Sequence, residues 1–131
     1  MVSVMFIRDS DLPNDSAYAD TCASIALAEW AHRMFHLDPD SQYIDVLERA
    51  IYNGILSGVN LEGDKFFYSN RLTVLPEEIK SNPHGHDIDR QPWFECACCP
   101  TNIVRFLPSI PGYIYSKSNK MFGSIFISSQ R

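Results

Sequence analysis

Ala17-Tyr18-Ala19-Asp20-Thr21-Cys22-Ala23-Ser24-Ile25-Ala26-Leu27-Ala28-Glu29-Trp30-Ala31-His32-Arg33-Met34-Phe35 is the stretch whose reading decides the fold. It is rich in alanine and other helix formers. Ala23, Leu27, Trp30 and Met34 fall on one apolar stripe. Ile25, Ala28 and Phe35 form a second, weaker one, with His32 beside it. Glu29 and Arg33, four residues apart, mark a polar side between them. A helix that is apolar on two sides is buried on two sides, as in a helical bundle or barrel. The expected fold class is mainly α.

Outward from this helix the punctuation is clear. Before it, Asp11-Leu12-Pro13-Asn14-Asp15 is a turn by composition. After it, Asp38-Pro39-Asp40-Ser41 breaks the chain and offers N-caps. Tyr43 to Leu56 carries Ile44, Leu47, Ile51 and Ile55 at helical spacing, with Asp45, Arg49 and Asn53 facing away. Gly54 and Gly58 suggest where that helix ends.

From Lys65 the pattern changes. Phe66-Phe67-Tyr68 and Leu72-Thr73-Val74-Leu75 read as short strands, and Lys80 to Pro92 as a polar loop holding His84 and His86. Pro100 to Leu107 reads as a short helix with Pro100 at its first position; Pro108 and Pro111 forbid its extension. Tyr113 to Tyr115 and Met121 to Ile127 read as strands, so the chain is expected to end partway into a β-rich region.

A chain of 131 residues is the size of one domain. The net charge of −5 is scattered without acidic or basic runs, which speaks against a nucleic-acid partner. No stretch is long enough to span a membrane. Met1 to Ile7 is short, is followed by Arg8 and Asp9, and lacks the features of a signal peptide.

Of four cysteines, Cys96, Cys98 and Cys99 crowd into four residues, and Cys22 lies far upstream. A disulfide framework spreads its cysteines over separate loops, so the clustering favours metal binding or catalysis, and a reducing, cytoplasmic setting. Asp20 adds a carboxylate, giving a sulfur and oxygen donor set suited to zinc. Residues two apart on a helix point to nearly opposite sides, so Asp20 and Cys22 share a metal only if Asp20 lies at or before the helix start. With Pro100 as first helical residue, Cys99 becomes the N-cap, and both neighbouring thiols face the positive end of a helix. The competing reading is packing, because free cysteine behaves as a small hydrophobe. The same reading is favoured for Trp93 and Phe94 over sugar stacking, and the His84 and His86 pair reads as an ordinary exposed loop.

These residues carry a resemblance. Asp11 to Asp15, Asp20 to Leu27, Leu47 to Asn53, Phe66 to Tyr68 and Trp93-Phe94-Glu95-Cys96-Ala97-Cys98-Cys99-Pro100-Thr101-Asn102 follow the order and separations of glycoside hydrolase family 127. The sequence resembles that β-L-arabinofuranosidase family over most of its length. The resemblance implies a partial (α/α)6 barrel: residues 1–111 as the C-terminal part of the catalytic barrel, and 112–131 as the start of a following β-sandwich region. It implies an arabinofuranoside-type carbohydrate substrate, a retaining mechanism, and an upstream remainder of the same domain as partner. It implies Zn2+ held by Asp20, Cys22, Cys98 and Cys99, with aspartate where the family has glutamate. It also implies a cysteine nucleophile: Cys98 if the first of the adjacent pair attacks, a choice the motif alone does not make. The family's general acid/base glutamate falls at Val4, and valine transfers no proton. The resemblance therefore implies a fragment without its acid/base. The other readings are a non-catalytic zinc-stabilised remnant or carbohydrate-binding module, and, less favoured, a Cys98-Cys99 redox pair, which would close a strained ring.

Overall fold

The computed structural model describes residues 13–15, 17–81, 88–117 and 122–124. Val4, the His84 and His86 pair, Asp11, Leu12 and most of the 121–127 stretch lie outside the described residues.

Helix α1 spans Thr21–Leu37. It starts later than Ala17 because Asp20 caps it: the Asp20 carboxylate accepts hydrogen bonds from the backbone N–H groups of Cys22 and Ala23 at 2.6 and 3.1 Å. Helix α2 spans Ser41–Arg49 under an Asp40 cap. It runs on without a break as a π-helical turn, Ala50–Ile55, and a 3₁₀ turn, Leu56–Gly58. Ile44, Leu47, Ile51 and Ile55 are all buried, while Asp45, Arg49 and Asn53 are exposed, as their spacing predicts.

Gly54 does not end this helix. It is where the π turn meets α1: a Cβ there would lie 2.5 Å from Ser24 Oγ and 2.7 Å from Ser24 Cβ. We expect Gly54→Ala to lower the thermal midpoint, because overpacking costs about 1–3 kcal/mol and exceeds the helix-propensity gain of about 1 kcal/mol. Ser24→Gly should relieve part of the loss. An unchanged midpoint in calorimetry for Gly54→Ala would show that the two helices are not in this contact.

Helix α3 (Pro76–Ser81) has no counterpart among the expected elements. Its signals are a proline at the first position and the Glu78 carboxylate, which accepts from the Leu75 N–H at 3.1 Å and from Arg71. Helix α4 spans Cys98–Phe106, followed by a 3₁₀ turn, Leu107–Ser109, and the single turn α5, Pro111–Ile114. Strands β1 (Tyr115–Lys117) and β2 (Phe122–Ser124) pair antiparallel, with Tyr115 opposite Ser124. Tyr113 is thus helical rather than extended, and its ring stacks on Phe106 at 5.7 Å.

The strands expected at Phe66–Tyr68 and Leu72–Leu75 do not form. Phe66 makes single bridges to Val59 and Gln91, and Ser69 makes one to Asp20. The backbone groups pair one at a time with different neighbours: the Phe67 N–H donates to the Gly58 carbonyl, and the Thr21 N–H donates to the Tyr68 carbonyl. The segment is threaded between loops and the start of α1, where no continuous ladder is available.

One core joins α1, α2 with its π turn, and α4. It holds Ile25, Ala28, Ala31, Leu47, Ala50, Ile51, Ile55, Ile103 and Phe106. The small residues Ala28 and Ala31, both fully buried, let the helices approach closely. The α1 stripe with the weaker pattern is therefore the buried one. The stripe with larger side chains faces outward, with Leu27 44% and Trp30 52% exposed. Among the described residues no helix is long and apolar enough to cross a membrane.

Candidate metal centre

The helix caps bring the four expected ligands together. Asp20 precedes α1, Cys22 is in its first turn, and Cys98 and Cys99 are the first two residues of α4. Ala97, not Cys99, is the residue before α4, and Pro100 is its third residue. Adjacent thiols converge all the same, because both lie in the first turn and lean over the helix end.

One ligand atom from each of Asp20, Cys22, Cys98 and Cys99 lies within 4.8 Å of all the others. Cys22 Sγ is 3.4 Å from Cys99 Sγ, Cys98 Sγ is 3.7 Å from Cys99 Sγ, and Cys99 Sγ is 3.8 Å from Asp20 Oδ2. A tetrahedral ion with metal–sulfur bonds of about 2.3 Å sets sulfur–sulfur edges of about 3.8 Å. The donors are thus spaced as a zinc-sized cation needs. Asp20 reaches the thiols despite its short side chain because it is itself the cap of α1. Its Oδ1 is engaged by the α1 N–H groups, and its Oδ2 is turned to Cys99 and to the Tyr18 hydroxyl, which donates at 3.2 Å.

The electrostatics separate the thiols. Burial first, then the neighbouring Cys22 thiol and the Asp20 charge, push Cys99 far above the ordinary cysteine value. Burial also raises Cys22. At Cys98 burial acts upward as well, but hydrogen bonds from the Tyr68 hydroxyl and the neighbouring thiols outweigh it, and the group is lowered. Four potential anions in contact cannot all ionise without a cation among them. The positive ends of α1 and α4, which meet here, offset part of that repulsion.

Three neighbours have no assigned role in the sequence reading. The Cys98 thiol donates to the Tyr68 hydroxyl oxygen at 3.2 Å, and the Asn102 amide donates to Cys22 Sγ at 3.3 Å. Hydrogen bonding to Cys98, then burial, raises Tyr68 well above an ordinary phenol. Tyr18 is the third. The signal for Asn102 is proximity to the cysteine motif, but Tyr68 is reached only through the tertiary fold. Phe94 is 3% exposed and packs against Phe66 and Tyr68, as expected of a packing residue. Trp93 does not: it is 62% exposed, because the chain there runs over the surface. Cys96 is exposed and is not among the four clustered ligands.

Known proteins share this arrangement of sequence. The family described as β-L-arabinofuranosidase, GH127 catalytic domain, matches residues 3–112. A non-reducing end β-L-arabinofuranosidase from Bifidobacterium longum subsp. longum is 42% identical over 118 residues, which are 88% of this chain and 18% of that protein. The crystal structure of a GH127 β-L-arabinofuranosidase from Geobacillus stearothermophilus T6 superposes with a TM-score of 0.77 at 49% identity, covering 88% of this chain and 18% of that one. A second solved structure, a GH127 β-arabinofuranosidase, gives a TM-score of 0.77 at 45% identity, over 88% of this chain and 17% of that one. The chain thus spans under a fifth of the length of these relatives. With nearly all of its first 112 residues matched, it belongs to the GH127 β-L-arabinofuranosidase family of glycoside hydrolases.

Proposed function

We propose that this chain carries the nucleophile and metal-binding part of a retaining β-L-arabinofuranosidase and lacks the acid/base. On this reading residues 1–111 are the C-terminal part of an (α/α)6 barrel, residues 112–131 open a β-rich region, and the remainder of the catalytic domain is the partner. The setting is cytoplasmic, where thiols stay reduced.

Asp20, Cys22, Cys98 and Cys99 would hold Zn2+, whose charge would keep the thiols in the thiolate form. The assignment of Cys98 as nucleophile rests on one observation: Cys98 is half-buried and reachable, whereas Cys99 has no exposed surface. The Tyr68 hydroxyl, 3.2 Å from Cys98 Sγ, accepts from the thiol and would donate to the thiolate, so it would orient the sulfur. Cys98 sulfur attacks the anomeric carbon as the glycosidic C–O bond breaks. Water then displaces the sulfur from the other face, and two inversions give retention. Nothing at Val4 protonates the departing oxygen, so leaving groups that are stable as anions are favoured. Val4 is also the observation that favours the second reading, a zinc-stabilised remnant without catalysis.

The test combines this chain with the missing portion of the catalytic domain from a relative, on an activated aryl β-L-arabinofuranoside. The chain alone should give negligible turnover, and the mixture measurable turnover that Cys98→Ser abolishes. Val4→Glu should raise the rate on an alkyl glycoside by about 10²–10⁴-fold. Turnover by the mixture that survives Cys98→Ser would overturn the assignment. So would turnover by the chain alone.

A further inference from the structure

The C-terminal half of α1 carries a second group of donor atoms, separate from the cysteines. His32 and His36 are four residues apart, on one face of the helix. They lie ten or more residues from Cys22, about 15 Å along the axis. Their Nε2 atoms are 3.2 Å apart, and the pair is exposed. The two rings meet edge to face at 4.5 Å, and Tyr113 from α5 meets His32 at 4.5 Å on another side. The Tyr113 hydroxyl is in turn held by Ser109 at 3.3 Å. His32 is thus braced by a neighbouring element, while His36 is exposed.

We propose that His32 and His36 form a bidentate chelate for a borderline divalent cation such as Ni2+ or Zn2+, distinct from the cysteine centre. Two imidazole nitrogens bound to one metal at about 2.0–2.1 Å stand about 2.9 Å apart at a right angle and about 3.3 Å apart at a tetrahedral angle. The observed 3.2 Å lies inside that interval. Histidines at this spacing on a helix are an established zinc-binding pattern. Imidazole is the donor that suits zinc, copper and nickel. The site also lies in the last turns of α1, where unpaired carbonyls favour a positive charge. Two protein ligands leave the remaining positions to water or to an incoming donor, so the ion would be exchangeable. Binding would pin the C-terminal turns of α1 against α5.

The experiment is equilibrium dialysis of the full chain, loaded with one equivalent of Zn2+, against Ni2+. Dialysis counts metal per chain whatever its state of association. We expect about one Ni2+ beyond the zinc. Loss of an outer-shell partner alone costs about 10–100-fold in metal affinity, so removing a ligand with His36→Ala should weaken binding by at least about tenfold. His36 is exposed, so the fold is not at risk in that variant. The double variant His84→Ala/His86→Ala should bind Ni2+ like the parent, and paramagnetic broadening should centre on the ring protons of His32 and His36. Unchanged Ni2+ binding in His36→Ala overturns the proposal. Loss of binding only in the His84 and His86 variant, or no second equivalent at all, overturns it too.

Discussion

Stripping divalent metal from the purified chain is expected to lower the temperature at which it unfolds, and Cys99→Ser to abolish stoichiometric zinc. The four donors come from the starts of two helices, α1 and α4, that are 77 residues apart in sequence at the Cys22–Cys99 contact. Asp20 and Cys99 are buried there. Without a cation, burial raises Cys22 and Cys99, so the thiols hold protons and the contact rests on weak S–H hydrogen bonds. A structural zinc site contributes on the order of 10 kcal/mol of apparent folding free energy. That is comparable with the whole net stability of about 5–15 kcal/mol typical of a domain. Elemental analysis and calorimetry before and after chelation measure both quantities. Protein prepared without chelator that holds no stoichiometric metal, with every cysteine freely alkylated, would sink the metal assignment.

The second large effect is association. Expressed alone, the chain should self-associate or unfold over a broad range, because Leu27 and Trp30 stand about half exposed on the outer face of α1. Val46 and Leu72 continue that face beside α2, lining an open groove of about 380 Å³ with Leu27. Each large apolar side chain left in water forfeits roughly 1.5–3 kcal/mol of burial. A contiguous apolar patch promotes association. Leu27→Lys with Trp30→Gln should shift the chain towards monomer in sedimentation velocity. A parent chain that sediments as a single monomer and melts in one sharp transition would contradict this expectation.

Much of the helical framework is legible in the sequence because it is written in local periodicity. Ile44, Leu47, Ile51 and Ile55 repeat at helical spacing and are buried. The cluster of donor atoms is legible for a different reason: few residue types bind zinc, and the four fall in two close pairs, Asp20 with Cys22 and Cys98 with Cys99. Which α1 stripe is buried is not legible. Hydrophobicity favours the face of Leu27 and Trp30, but close helix packing selects the face of Ala28 and Ala31, where small side chains let α2 approach. Phe66 to Tyr68 has the composition of a strand, yet composition does not say whether a partner strand exists. Tyr68 reaches Cys98 across 30 positions of sequence, a contact made only once both helices have been placed.

The π-helical turn at Ala50–Ile55 has an implication for how this chain tolerates length change. Such a turn is an ordinary helix accommodating one surplus residue. Deleting a single residue within it would let the helix rewind into a regular spiral instead of breaking it. A π turn winds less per residue than an ordinary helix, so it absorbs the surplus residue and the chain beyond keeps its phase. The carbonyls of Ser57 and Gly58, which accept from the Arg90 guanidinium at 2.9 and 3.1 Å, would stay within its reach. The Asn70 amide, which donates to Ser57 Oγ at 2.6 Å, would keep its acceptor with them. A deletion in the regular part of α2 would instead rotate the chain beyond it by about 100° about the axis and carry those acceptors away. The π turn therefore acts as slack in the helix: a residue can be given up there without unlatching the loop that carries Arg90.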